Sequence, residues 1–168
     1  MAGDTAVRSS IGRSRASSPR SKTARLEPSS EKDVAHESGR ACILLVDDDQ
    51  AVLDTFARML RLKGYDVSTA IKPETGLQEA ERCHPDAIIL DFRMPLLDGM
   101  AFLRRLRSLD NQRNTPTAIV TGDYFLDDAV TADLRELGAL VLFKPLWLEQ
   151  LVDLAKTLVT RKADQQSA

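Results

Sequence analysis

The stretch CILLVDDD at residues 42–49 decides how the rest of the chain is interpreted. An unbroken apolar run, 42–46, is followed at once by Asp47, Asp48 and Asp49. A strand that is apolar on both faces belongs in the middle of a sheet covered on both sides, as parallel sheets are. These residues therefore predict a central parallel strand with a cluster of acids at its carboxyl end.

The same pattern repeats along the chain, with strands and helices in alternation. Strands are predicted at 42–46, 65–69, 86–90, 117–120 and 139–143. Apolar residues with helical spacing follow each strand, and the last helix is expected to end near Arg161. Parallel strands need crossover connections, which are right-handed. The predicted fold class is therefore α/β, a doubly wound five-stranded parallel sheet of the (βα)5 type with helices on both faces.

Charge is unevenly distributed along the chain: the N-terminal residues are basic and the rest of the chain is acidic. The 168 residues carry a net charge of −2, yet residues 1–25 contain six basic side chains and only one acid. Residues 1–40 hold few large apolar side chains, so we expect a disordered basic tail, because burial there could not offset the entropy of ordering. A folded domain is expected over 41–160 and a short C-terminal tail over 161–168.

Several protein classes are excluded by composition. Two cysteines and two histidines are too few for a disulfide scaffold or a Cys/His metal cluster. No apolar run approaches the ~18 residues that a membrane span needs. Cysteine usage and the lack of a secretory signal lead us to expect a cytoplasmic protein without a membrane span.

Polar side chains follow the predicted strands at the edge where their carboxyl ends meet. Asp47 and Asp48 follow the first strand, and Asp91, Thr121 and Lys144 follow the third, fourth and fifth. In doubly wound sheets this edge carries the binding crevice. Clustered carboxylates repel one another unless a cation lies between them, and an all-oxygen ligand set suits Mg²⁺. With a hydroxyl and an ammonium beside it, such a site is equipped to move a phosphoryl group onto an aspartate.

These motifs resemble the receiver domain of two-component response regulators. The resemblance is carried by Ile43–Asp49 (ILLVDDD), Ile88–Gly99 (IILDFRMPLLDG), Thr121-Gly122 and Lys144-Pro145, each at a strand end and in the right order. It covers residues 41–160 and implies a flavodoxin-like receiver fold, here interpreted as a stand-alone domain because no helix-turn-helix or other output motif follows it. The prediction therefore includes no DNA-binding domain.

The resemblance implies a role for each of these residues. Asp91 would accept a phosphoryl group from the phosphohistidine of a sensor histidine kinase or a histidine phosphotransfer protein. Thr121 and Lys144 would contact that group, and the Lys144-Pro145 peptide bond would be cis. The ligands of Mg²⁺ would be Asp47, Asp48, Asp91 and the backbone carbonyl of Arg93. The protein would be a slowly self-dephosphorylating phosphoacceptor rather than an enzyme, and would signal by docking a target on the face formed by its fourth helix, fifth strand and fifth helix.

One position departs from the family pattern. The residue three before the strand-five lysine, an aromatic that works with Thr121 in the family's switch, is Val141. We therefore expect weaker coupling through this pair. Phe143 is expected in the core, and Tyr124 and Phe125 are the candidates for an alternative moving aromatic.

Three other interpretations are open at this point. The chain could be a relay shuttle that passes its phosphoryl group to a histidine phosphotransfer protein, or a scaffold that no longer takes phosphate. An aspartyl-phosphate phosphatase of the haloacid dehalogenase type would need Asp-x-Asp-x-Thr after the first strand, whereas here Asp49 is followed by Gln50 and Ala51. A nucleotide-binding α/β domain is excluded because no glycine-rich phosphate loop is found there.

Overall fold

The computed structural model describes residues 39–167, and within that range five parallel strands alternate with five helices. The strands are β1 (Cys42–Val46), β2 (Asp66–Ala70), β3 (Ala87–Asp91), β4 (Thr117–Thr121) and β5 (Ala139–Phe143). The helices are α1 (Gln50–Leu62), α2 (Pro73–Cys83), α3 (Gly99–Ser108), α4 (Asp128–Glu136) and α5 (Leu148–Ser167). The strand order is β2-β1-β3-β4-β5, so the predicted doubly wound fold is confirmed.

The sequence pattern of each strand follows from its place in the sheet. Every residue of the three inner strands β1, β3 and β4 is buried, which explains their continuous apolar runs. Alternate residues of β1 face opposite layers. Leu44 packs in the same cluster as Phe102 of α3, and Ile43 packs in the same cluster as Leu53 of α1 and Leu151 of α5. The helices therefore cover both faces.

Aspartate side chains cap the first turns of α1 and α3. The Asp49 side chain accepts a hydrogen bond from the Ala51 amide at 2.8 Å, and the Asp98 side chain accepts one from the Ala101 amide at 2.8 Å. Such caps satisfy amides that a helix start leaves without partners. Gly64, with φ +91°, adopts the left-handed conformation that ends α1.

Arg107 joins four segments at the amino-terminal edge of the sheet. Its guanidinium donates to the carbonyls of Leu137, Gln112 and Thr115 and to the hydroxyl of Thr117, at 2.8–3.3 Å. Burial lowers the pKa of Arg107 to about 10. All four acceptors are uncharged. Because they belong to separate segments, the Arg107 side chain cross-links α3, the loop before β4, β4 and the turn before β5.

Some predicted boundaries are wrong. β2 begins at Asp66, one residue later than predicted. The larger error is α5, which continues to Ser167 instead of fraying near Arg161, so residues 161–167 are helical and not a tail. This segment contains no glycine or proline, and residues such as Arg161 and Lys162 are good helix formers. The predicted basic tail over 1–40 lies outside the described residues, apart from Gly39 and Arg40. In residues 39–167 no helix combines the length and the hydropathy required to cross a membrane.

Candidate functional site

Three aspartates meet at the carboxyl edge of the sheet. Asp47 and Asp48 directly follow β1, and Asp91 is the last residue of the neighbouring strand β3. One carboxylate oxygen from each lies within 4.8 Å of the others. Asp47 and Asp91 are buried, at 8% and 6% exposure, whereas Asp48 is exposed. Hard oxygen donors in this arrangement fit Mg²⁺, which binds through one or two carboxylates and keeps several waters.

Lys144 reaches this cluster from the far side of β4. Its Nζ lies 3.2 Å from Oδ1 of Asp91 and 3.3 Å from Oδ2 of Asp47. Its backbone amide donates to the Thr121 carbonyl at 2.7 Å, which fixes the start of the side chain. Burial lowers the pKa of Lys144, but attraction to Asp47 and Asp91 outweighs it and the pKa is raised. The ammonium therefore stays charged between the two carboxylates.

The electrostatic balance at Asp91 is set mainly by burial. Loss of solvent raises the pKa of Asp91, and the negative charge of Asp47 raises it further, against the opposing attraction of Lys144. Asp91 also lines a mainly apolar cavity of about 360 Å³, whose walls include Phe56 and Leu146. A carboxylate held in such surroundings is less well solvated than one in water, and a cation beside it would favour its charged form.

Thr121, the last residue of β4, and Arg93, on the loop after β3, flank the cluster. Thr121 is fully buried, and its hydroxyl accepts a hydrogen bond from the Asp123 amide at 3.1 Å. A hydroxyl that accepts one bond can still donate its own proton. The guanidinium of Arg93 pairs with the carboxylate of Asp123 and holds the pKa of that carboxyl below its usual value. This ion pair joins the loop after β3 to the loop after β4. The role of the Arg93 carbonyl as a metal ligand stays a prediction.

The aromatic side chains are arranged differently from the prediction. Phe143 is 45% exposed rather than in the core, because it ends the edge strand β5. It stacks on Tyr124, with ring centroids 5.7 Å apart and an interplanar angle of 11°. The Tyr124 hydroxyl also donates to the carbonyl of Lys144. Val141 is half-buried and packs against the core. Phe125 is 95% exposed.

Sequence reasoning missed the pairing of Tyr124 with Phe143. Their proximity follows from the register of the β4–β5 ladder, in which Thr121 and Phe143 lie opposite each other, and no local sequence pattern gives that register. An aromatic residue three positions after Thr121 can fold back over the end of β5. The Lys144-Pro145 peptide bond is cis, as the resemblance implies. The structure thus brings together all the predicted carboxylates and the lysine, and places Thr121 on the strand between them.

Comparison with known protein families gives one match that covers most of the domain. The family model described as response regulator receiver domain matches residues 43–156. Among curated proteins, PrrA of Mycobacterium leprae, named a transcriptional regulatory protein, is 41% identical over 120 residues, which are 71% of this chain and 50% of PrrA. The response regulator MprA of the same organism is 35% identical over 126 residues, 75% of this chain and 54% of MprA. The chain thus spans about half the length of the curated relatives it matches.

Solved structures agree with the family match. The chemotaxis protein CheY4 of Vibrio cholerae is 27% identical with a TM-score of 0.65, covering 71% of this chain and 98% of CheY4. A response regulator receiver domain protein from Clostridium thermocellum is 30% identical with a TM-score of 0.67, covering 74% of this chain and 98% of that one. Both structures share the fold of this chain over nearly their whole length.

Proposed function

Because this chain belongs to the response regulator receiver domain family, we propose that it accepts a phosphoryl group from a phosphohistidine onto Asp91. The observation that carries the proposal is the contact of Asp91 Oδ1 with Lys144 Nζ at 3.2 Å, inside the cluster of three aspartates. It places a nucleophilic carboxylate beside both a fixed cation and a set of ligands for a second, divalent one. This combination is what phosphoryl transfer to an aspartate requires.

The protein residues have separate tasks in this reaction. A carboxylate oxygen of Asp91 forms the new P–O bond while the P–N bond to the donor histidine breaks and its electron pair returns to the ring nitrogen. Lys144, held by Asp47, attracts the negative oxygens of the transferred group. The Thr121 hydroxyl donates a hydrogen bond to another of these oxygens. When bound by Asp47, Asp48, Asp91 and the Arg93 carbonyl, Mg²⁺ supplies further neutralisation of the phosphoryl charge.

In this proposal the protein is a phosphoacceptor and not an enzyme with turnover. The acyl phosphate on Asp91 is lost slowly by hydrolysis, which ends the signal. The donor is a sensor histidine kinase or a histidine phosphotransfer protein. The family match gives no support to the alternative of a haloacid-dehalogenase-like phosphatase.

The signal leaves the site through a stacked aromatic pair in our proposal. Tyr124 contacts both Phe143 and the Lys144 carbonyl, and it lies three residues after Thr121. Any movement of Thr121 or Lys144 toward a phosphoryl group therefore acts on the Tyr124–Phe143 stack. Val141, packed against the core, has no ring to reorient. The stack would change the docking face formed by α4, β5 and α5, where Trp147 is 66% exposed.

The phosphorylated receiver can pass on its signal in two ways. In the first, the chain acts as a single-domain regulator or as a relay shuttle, through docking to another protein. In the second, the receiver controls an output domain, and this candidate is favoured by the roughly doubled length of relatives such as PrrA. Both modes depend on the same phosphorylation of Asp91.

Beryllofluoride, which mimics a phosphoryl group on aspartate, tests the proposal. With Mg²⁺ it should give a saturable change in the emission of Trp147, the single tryptophan of the chain. The change should vanish in Asp91→Ala and persist in the control Asp110→Ala, whose carboxylate is on the surface with 98% exposure. A silent wild type, or an equal response in Asp91→Ala, contradicts the assignment of Asp91.

A further inference from the structure

The two cysteines of the chain meet at the amino-terminal edge of the sheet. Cys42 begins β1 and Cys83 ends α2, and both are buried, at 4% and 7% exposure. Although far apart in sequence, both residues line the same cavity at this edge of the sheet. The backbone fixes this proximity, because the Cys42 amide donates to the Asp86 carboxylate at 2.8 Å and the Asp86 amide donates to the Cys42 carbonyl at 2.8 Å. The sequence analysis gave these residues no function.

An open cavity reaches the cysteine pair. It has a volume of about 460 Å³, and both cysteines line it together with Arg40, Arg61 and Arg82. The Arg61 guanidinium donates to the Val67 carbonyl at 2.8 Å, which places it on this wall. A small polar molecule can therefore approach the two sulfur atoms past three guanidinium groups and the carboxylate of Asp66, which also lines the cavity. The cysteines themselves are buried, but this polar cavity distinguishes them from structural cysteines that are sealed in apolar cores.

The two thiols differ in acidity. Interaction with the Cys42 thiol lowers the pKa of Cys83 to about 7, with help from the Ser68 hydroxyl and the charge of Arg82, against the opposing effects of burial and of the Glu79 carboxylate. The neighbouring Cys83 thiol, together with burial and the nearby carboxylates of Asp86 and Asp66, raises the pKa of Cys42. Cys83 is thus the more acidic member of the pair.

We propose that Cys83 and Cys42 form a peroxide-reactive redox pair, in which Cys83 is oxidised first and Cys42 resolves it as an intramolecular disulfide. The Cys83 thiolate attacks one oxygen of a hydroperoxide, the O–O bond breaks, and the departing oxygen takes up a proton. The resulting sulfenic acid is attacked by the Cys42 sulfur, which forms the S–S bond and releases water. The peroxide gains two electrons and the two thiols lose them, so the reaction balances.

The pair is independent of the phosphoacceptor site. Cys42 and Asp47 are at opposite ends of β1, and its five residues span about 13 Å at the rise of a strand. The disulfide would tie the start of β1 to the end of α2 without touching the aspartate cluster. Oxidised protein should therefore still take up a phosphoryl group on Asp91, and a failure of one assignment leaves the other standing.

Hydrogen peroxide added to the reduced, reductant-free full chain tests the redox pair. We expect the intact mass to fall by two hydrogens, both cysteines to resist alkylation under denaturing conditions, and a linked Cys42–Cys83 peptide to appear in a non-reducing digest. Reductant should restore both thiols. Thiols that stay fully alkylatable after excess peroxide, or linkage only between two chains, would overturn the proposal.

Serine variants test the order of the two cysteines. Cys42→Ser should stop at a sulfenic acid on Cys83 that dimedone traps, whereas Cys83→Ser should react with peroxide at least ten-fold more slowly than the wild type. Equal rates in Cys83→Ser and wild type contradict the assignment of Cys83 as the first thiol. The wild-type mass measurement needs no variant, so the proposal stays testable even if a serine substitution impairs folding.

Discussion

Replacing Asp48 with asparagine is expected to stabilise the metal-free protein. Asp48 shares a cluster with two other carboxylates, and one oxygen of each lies within 4.8 Å of the others. Two unit charges at that distance repel by about 1 kcal/mol in a water-like medium and by about 3 kcal/mol at an effective dielectric constant of 20. Asp48 is exposed and Lys144 offsets part of the negative charge. The gain should therefore lie near the lower value, about 1 kcal/mol, or roughly 3–4 °C in Tm.

The sign of this effect should reverse with Mg²⁺. A ligand that binds only the folded state adds about 2.7 kcal/mol at one hundred times its Kd. The wild type should gain this stabilisation, and Asp48→Asn should lose most of it because the variant lacks a carboxylate ligand. The variant is then more stable than the wild type in EDTA and less stable in saturating Mg²⁺.

Thermal unfolding followed by circular dichroism measures both conditions. The control is Asp153→Asn, which removes the same charge from an exposed position of α5 and should change stability by less than about 0.5 kcal/mol in either buffer. A lower Tm for Asp48→Asn in EDTA would show that the cluster is not electrostatically strained. Equal stabilisation of wild type and Asp48→Asn by Mg²⁺ would show that Asp48 is not a ligand.

Three further variants probe other parts of the account. Lys144→Met should slow phosphorylation of Asp91 by a small-molecule phosphodonor about 100-fold, which is the effect of losing one charge-stabilising group from an enzyme active site. Intact mass measured over time gives this rate. Tyr124→Ala should leave the phosphorylated fraction unchanged but reduce the beryllofluoride response of Trp147, while an unchanged response would refute the role of the stack. Arg107→Met should cost about 2–4 kcal/mol in urea unfolding, because buried carbonyl acceptors lose their donor, with phosphorylation retained.

The fold could be predicted from sequence because its signals are local and repeated. Apolar runs such as 42–46 need cover on both faces. Gly64 marks a helix end through its backbone conformation, and Asp49 and Asp98 mark helix starts through side chains that accept hydrogen bonds from nearby amides. Once the strands are parallel, their polar carboxyl ends must share one edge. The meeting of Asp47, Asp91 and Lys144 followed from this topology without any knowledge of side-chain positions.

Other features depend on contacts that no local pattern encodes. The stack of Tyr124 on Phe143 arises because β5 is an edge strand, and strand order is a tertiary property. The meeting of Cys42 with Cys83 requires the chain after α2 to return beside the start of β1. The end of α5 was missed because helix-forming residues such as Arg161 and Lys162 are also polar, and polarity alone suggests a tail.

Phosphoryl transfer to Asp91 is the central claim, and intact mass spectrometry tests it most directly. The full chain is incubated with acetyl phosphate and Mg²⁺, and its mass is compared with that of Asp91→Asn and of the surface control Asp110→Asn. The account predicts the addition of one phosphoryl group to the wild type and to Asp110→Asn, its loss when EDTA replaces Mg²⁺, and none on Asp91→Asn. A wild type that gains no phosphoryl group, or an Asp91→Asn variant that gains one as fast, would contradict it.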